Sequence, residues 1–221
     1  DTIDGLQTAF SERDYVADRG LVTSVFLGLR LDRPLLLEGE AGVGKTELAK
    51  VLASTLGTRL IRLQCYEGLD ESKALYEWNY KKQLLRIQSD VDHDWDTISH
   101  DIFSEEFLLK RPLLQALEAD DGQPPVLLID EIDRADEEFE AFLLEILSDF
   151  QVSIPELGTR KAVNIPFVVL TSNNYRDMSD ALKRRCLHLY IDYPDRELES
   201  RIVRLKIPGI EERLVTKLVD T

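Results

Sequence analysis

The stretch PLLLEGEAGVGKTELAKVLASTL, residues 34–56, decides how the rest of the chain is read. Its first five residues form an apolar run that reads as a short buried strand. Eight residues follow, GEAGVGKT at 39–46, with the spacing G-x-x-x-x-G-K-[ST]. Beyond them, KTELAKVLASTL returns Leu48, Val51, Leu52, Thr55 and Leu56 to one helical face. A glycine loop between a strand and an amphipathic helix is the setting in which this spacing holds phosphate. Gly39, Gly42 and Gly44 allow tight backbone and a close approach. The N–H groups of the loop and of the helix start present positive dipole ends to an anion. Gly39, Glu40, Ala41, Gly42, Val43, Gly44, Lys45, Thr46 and Glu47 are therefore the expected nucleotide-binding residues. Lys45 would reach the outer phosphates, and the Thr46 hydroxyl would bind Mg²⁺.

A phosphate loop calls for an acidic strand end, and VLLIDEIDR at 126–134 supplies one. Four apolar residues read as a buried strand, and Asp130 and Glu131 emerge at its C-terminal end, where open α/β sheets bind ligands. Asp130 is placed to hold the Mg²⁺ shell. Glu131 is expected to polarise an attacking water, which favours hydrolysis of ATP over transfer to a small acceptor. Asp133 and Asp136 read as acids at a helix start rather than as catalytic groups.

Three further apolar runs, at 59–66, 167–173 and 187–192, read as strands, with helical patterns between them. Strands alternating with helices predict a mostly parallel five-stranded sheet covered on both faces. Two segments exceed this layout and read as insertions, where binding loops tend to lie. Residues 75–110 begin with alternating Tyr76, Trp78 and Tyr80 and then KKQLLRI, which reads as a hairpin over 75–90, followed by an acidic loop. Residues 150–166 read as a second hairpin turning near Leu157-Gly158. The aromatics of the first insertion either face a client protein or pack the insertion on the core. The loop at 89–106, with His93 and His100, superficially resembles a calcium loop. It places Trp95 where such a loop needs glycine, and so reads as a solvated segment. After Pro194, two helical pieces are separated by Pro208-Gly209.

Composition narrows the function. Of 221 residues, 42 are acidic and 27 basic, a formal net charge of −15 that repels nucleic-acid phosphates. No apolar stretch approaches a membrane span, and the N-terminus has no secretory pattern. The two cysteines, Cys65 and Cys186, form no metal or disulfide framework and suit a reducing, cytoplasmic setting as buried small side chains. A small GTPase switch is a poor fit, because no NKxD base-recognition motif occurs. A small-molecule kinase and a nucleic-acid-stimulated motor remain as alternatives to a protein-remodelling ATPase.

GEAGVGKTE, VLLIDEIDRADEEFEAFLLEILSD, TSNN and DALKRRC, in this order, resemble AAA+ ATPases of the MoxR group. QCYEGLDESKALYEWNY and LHLYIDYPD place the likeness closest to the CoxD-type branch. The resemblance covers the chain from about residue 20. It implies an AAA+ P-loop αβα core over 1–193 and the beginning of a small helical lid over 194–221. The 75–90 hairpin would then interrupt the second helix of the core. Asn173 falls on the sensor position that orients the attacking water, a role that suits an amide, with Asn174 as fallback. Rings, usually hexamers, are implied, with a von Willebrand factor A domain protein as partner. The clients would be metalloenzymes such as molybdenum-containing carbon monoxide dehydrogenases. The family's lid arginine has no matching motif here: Arg201, Arg204 and Arg213 lie in a lid that is expected to be incomplete.

Against the acidic background, Lys183, Arg184 and Arg185 stand together behind the TSNN segment. In a ring, one subunit's nucleotide faces its neighbour. Charge developing on the γ-phosphate then calls for a cation supplied in trans, and arginine keeps its charge and offers a planar fork of donors. Arg185 resembles the family's finger position, and Arg184 is second.

Overall fold

The computed structural model describes residues 2–89 and 101–219. Most of the acidic 89–106 stretch, with His93, Trp95 and His100, therefore lies outside the described residues. The chain opens with helices α1 (Ile3–Ser11) and α2 (Arg19–Leu31). The side chains of Thr2 and Asp18 cap them, accepting from the N–H groups of Gly5 and Leu21. Next come β1 (Leu35–Glu38), α3 (Lys45–Leu56) and β2 (Leu60–Gln64). The insertion contains α4 (Glu71–Ala74), β3 (Tyr76–Trp78), α5 (Tyr80–Ser89) and β4 (Leu108–Lys110), and α6 (Pro112–Leu117) leads to β5 (Val126–Asp130). Then follow α7 (Glu137–Asp149), the hairpin β6 (Gln151–Ile154) and β7 (Gly158–Lys161), and β8 (Phe167–Ser172). The order ends with α8 (Asp180–Arg185), β9 (Leu187–Tyr190), α9 (Arg196–Lys206) and α10 (Glu212–Val219).

Five strands pair in the order β2-β5-β8-β1-β9, and every pairing is parallel. The central strands β1, β5 and β8 are buried at every position, which explains why they read as unbroken apolar runs. Leu35, Leu37, Leu128 and Val169 pack under α1, α2 and α3 on one face. Leu36, Leu127, Ile129 and Leu170 pack with Leu113, Leu143 and Ile146 on the other. Because β5, β8 and β1 are neighbours, their C-terminal ends bring residues 130–131, 172–173 and 38–39 side by side. Gly39 is held between two strands: its N–H donates to Ser172 O at 3.3 Å, and Ile191 N–H donates to the adjacent Glu38 O at 2.7 Å. With φ at 154°, Gly39 lies so close to Ile191 that a Cβ there would stand 2.1 Å from the Ile191 carbonyl oxygen.

The expected hairpin over 75–90 is corrected. Tyr76–Trp78 is a strand, but its antiparallel partner is Leu108–Lys110, and KKQLLRI belongs to α5. The helical period was masked because the buried residue of α5 is Gln83, whose amide donates to Ile102 O at 2.7 Å. Leu84 and Leu85 are 58% and 66% exposed. Trp78 packs edge-on against Phe103 at 5.3 Å between ring centres, so the insertion's aromatics serve packing through Trp78, while Tyr80 is exposed. The second hairpin forms where expected, turning through Leu157, whose N–H donates to Ile154 O at 3.0 Å. Arg160 of that hairpin pairs with Glu105 beside β4, tying the two excursions together. Among the described residues, no helix is long and apolar enough to cross a membrane.

Candidate functional site

The loop after β1 opens onto a cavity of about 280 Å³ lined by Ala41, Gly42, Gly44, Lys45, Thr46 and Glu47 together with Asp130, Glu131, Thr171 and Asn173. Gly42 and Gly44 have φ of 90° and 93°, a left-handed conformation that side chains other than glycine's rarely adopt. A side chain on Gly42 would meet nothing within 4 Å, so conformation rather than crowding calls for glycine there. Lys45 opens α3 and is buried; its Nζ donates to Gly39 O at 2.7 Å and Glu40 O at 2.6 Å. Burial lowers its pKa, and the charges of Asp133, Glu40, Asp130 and Glu131 offset part of that shift. Glu47 turns outward to Lys50 at 3.0 Å and meets the site only from the first turn of the helix.

Asp130 ends β5 almost fully buried. Its Oδ1 accepts from Thr171 Oγ1 at 2.6 Å and from Thr46 Oγ1 at 3.0 Å. Its Oδ2 accepts from Arg62 Nε at 3.0 Å and Nη2 at 2.6 Å. Glu131 takes a left-handed backbone, φ 55°, which turns the chain out of the strand. Thr171 Oγ1 steadies that turn by accepting from the Glu131 N–H at 2.9 Å. The Glu131 carboxylate accepts from Asn173 Nδ2 at 3.2 Å on Oε1, and from Gln64 Nε2 at 3.2 Å and Arg134 Nε at 3.0 Å on Oε2. Thr46, Asp130, Glu131 and Asn173 thus line one cavity with the loop. Asn174, the fallback, has φ 60° and stands outside the cavity lining.

Sequence reasoning missed four residues. Arg62 and Gln64 occupy alternate positions on β2, and Thr171 lies inside an apolar run, so nothing local marked them. The fourth, Asp133, is 1% exposed rather than an open helix-start acid. Its Oδ2 accepts the N–H groups of Asn173 at 3.0 Å and Tyr175 at 2.9 Å, which fixes the turn that aims Asn173 at Glu131. Asp136 does act as a helix cap, accepting from Phe139 N–H at 2.8 Å. Glu140 extends the bracing by accepting from Arg176 at 2.9 Å and from the Ser179 N–H at 2.9 Å, just ahead of α8.

Lys183, Arg184 and Arg185 lie in the last turn of α8, away from this cavity. Lys183 comes within 3.9 Å of Glu38. Arg184 and Arg185 are exposed and make no ion pair among the described residues. A more apolar cavity of about 230 Å³, lined by Leu29, Pro34, Phe150 and Phe167 among others, lies at the opposite end of the sheet.

This sheet order, the glycine loop and the acidic end of β5 define a P-loop NTPase of AAA+ type. The chain belongs to the AAA domain family, dynein-related subfamily, whose model matches residues 34–186. It is 24% identical over 198 residues to an uncharacterised protein of Staphylococcus saprophyticus, covering 86% of this chain and 67% of that one. It is 25% identical over 181 residues to one of Staphylococcus aureus, covering 79% and 61%. Among solved structures it is similar to a Cytophaga hutchinsonii protein provisionally designated an ATPase. That match has a TM-score of 0.64 and 18% identity, and covers 99% of this chain and 62% of that one. It is also similar to a mutant RuvB of Thermotoga maritima, with a TM-score of 0.50, 19% identity and coverage of 86% and 51%. The chain thus spans about two thirds of the length of the curated relatives it matches.

Proposed function

We propose that the chain hydrolyses ATP and acts in a cytoplasmic ring, in the manner of MoxR-type ATPases, to remodel or mature a partner enzyme. The observation that carries this reading is the Asn173–Glu131 contact at 3.2 Å, across one cavity from Lys45 and Thr46. In this reading Lys45 and the loop N–H groups hold the phosphates. Glu131 takes the proton of the attacking water, and Asn173 fixes the direction of that carboxylate. Arg185 of a neighbouring subunit neutralises charge developing on the γ-phosphate, with Arg184 beside it. The exposure of both arginines, free of ion pairs among the described residues, supports a role toward a neighbour.

Thr46 and Asp130 present hard oxygen donors side by side, 3.0 Å apart, which suits Mg²⁺. Among the described residues there is no cluster of three His, Cys, Asp or Glu side chains for a metal, so these two donors would hold the ion together with the nucleotide. When bound, Mg²⁺ would neutralise phosphate charge.

Residues 1–193 would form the nucleotide-binding core and 194–221 the start of a helical lid. A von Willebrand factor A domain partner and a CoxD-like role toward a molybdenum-containing hydroxylase are carried by the resemblance alone. The test is phosphate release from ATP with no added acceptor or nucleic acid. Turnover under those conditions is expected. A folded protein that binds ATP and transfers its phosphate only to an added acceptor, or turns over only with DNA, overturns the reading.

A further inference from the structure

Both oxygens of Asp130 are engaged by the protein itself. Thr171 and Thr46 take Oδ1, while Arg62 sets two N–H donors on Oδ2, at 3.0 and 2.6 Å. A carboxylate this deeply buried needs a countercharge. Lys45 acts on it only through space, because its Nζ is held by Gly39 O and Glu40 O rather than paired with the carboxylate. The neutralising cation is Arg62, which stays charged at any working pH and whose fork suits a carboxylate.

We propose that Arg62 is a displaceable internal counter-ion: it holds the charge position on Asp130 that a divalent metal takes when it arrives with nucleotide. The proposal deepens the Mg²⁺-nucleotide reading above and rests on it. Two cations a few ångströms apart on one buried carboxylate repel each other, even with the half-exposed Arg62 guanidinium partly screened by solvent. Metal binding and the Arg62–Asp130 pair are therefore competitors. Release of Arg62 is feasible because its side chain is 50% exposed while that of Asp130 is 2% exposed. It leaves from β2, which stands at the edge of the sheet, and its Nη2 already has a second acceptor, Gln64 Oε1 at 2.5 Å. The displaced guanidinium thus keeps solvent and one protein partner, and no buried charge is orphaned. A metal ion alone gains too little to displace it. A metal ion with phosphate brings anionic charge that can accept the freed cation, so the two ligands enter together.

The test uses Mn²⁺ alone, titrated into nucleotide-free protein and followed by the electron paramagnetic resonance signal of the free ion. Wild type is expected to show no saturable site. Arg62→Met, which keeps the apolar stem and removes the charge, is expected to gain one. Arg62→Lys should restore wild-type behaviour, and adding Asp130→Asn to Arg62→Met should abolish the gained site. Arg62→Gln, which keeps a donor toward Oδ2, carries the test if the Met variant melts early. In a second arm, ADP affinity is measured with and without Mg²⁺. The ratio of the two should be about tenfold larger in the variant than in wild type. A saturable Mn²⁺ site in wild type, or identical Mn²⁺ binding in wild type and a folded variant, overturns the proposal. ADP that fails to bind wild type at all sinks the nucleotide reading instead and leaves the Mn²⁺ result to decide on Arg62.

Discussion

Asn173 donates its side-chain amide to Glu131 at 3.2 Å, although the two residues lie 42 positions apart and follow the ends of different strands. The parallel pairing of β5 with β8 brings them together, and Thr171 and Asp133 fix their backbones. Glu131→Gln keeps the shape of this contact and removes the base. Turnover should fall by about 100-fold or more while ATP binding persists, as read by phosphate release and by titration with a fluorescent ATP analogue. Asn173→Ala should lower kcat by about 100-fold in the same assay. Unchanged kcat in Glu131→Gln would refute its role.

Lys45 sits in a buried position that favours its neutral form, so its pKa lies below the ordinary lysine value. Bound phosphate favours the charged form. Nucleotide binding should therefore take up protons at alkaline pH, once the free protein begins to lose the Lys45 proton. Calorimetry in two buffers of different ionisation enthalpy reads the uptake directly. For the free protein, the sign is that the stability cost of charging Lys45 disappears as pH rises through its lowered pKa. Lys45→Ala should abolish nucleotide binding and proton uptake together.

Asp133 accepts two backbone N–H groups of the turn that carries Asn173. Asp133→Asn removes the charge from both bonds and should loosen the turn. We expect a melting loss equivalent to about 2 kcal/mol and a kcat reduced by about 10- to 100-fold, with nucleotide affinity intact. Hydrogen exchange at the amides of Asn173 and Tyr175 should rise. Equal protection in the variant would place the constraint elsewhere.

Arg185→Ala should bind ATP normally and lose about 1,000-fold in turnover. Mixed with Lys45→Ala subunits, it should regain part of the activity, because each variant supplies what the other lacks. Full-rate hydrolysis by assembled Arg185→Ala alone would return the basic end of α8 to ordinary surface charge.

Cys65 and Cys186 are both buried, and burial pushes each thiol up to about 12. Around Cys65 the charges of Asp130, Asp133 and Glu131 add to the shift, whereas around Cys186 those of Arg33 and Arg185 oppose it. Neither should react with a thiol reagent at pH about 8 until the protein is unfolded. Fast labelling of Cys65 in native protein would show that the acidic end of β5 opens to solvent.

The central strands were legible because a strand buried on both faces is apolar along most of its length, as β1, β5 and β8 are up to the polar residues at their C-terminal ends. The glycine loop was legible because its spacing and its flanks are local. Helix α5 was not, since it buries a glutamine and exposes two leucines, inverting the pattern by which a helix is recognised. Arg62, Thr171 and Asp133 carried no local mark either. Each acquires its meaning from partners 40 or more residues away: Asp130 for Arg62 and Thr171, and the backbone of Asn173 for Asp133.

The contact between Gly39 and Ile191 has a mechanical consequence. Ile191 follows β9 and precedes α9 and α10, and it is joined to the start of the phosphate loop by the 2.7 Å bond from its N–H to Glu38 O. Its carbonyl also closes the space beside Gly39. The segment that leads to the C-terminal helices is therefore fastened to the loop entrance by backbone alone, and a movement of Ile191 would be felt at Gly39 before it reached any side chain of the site.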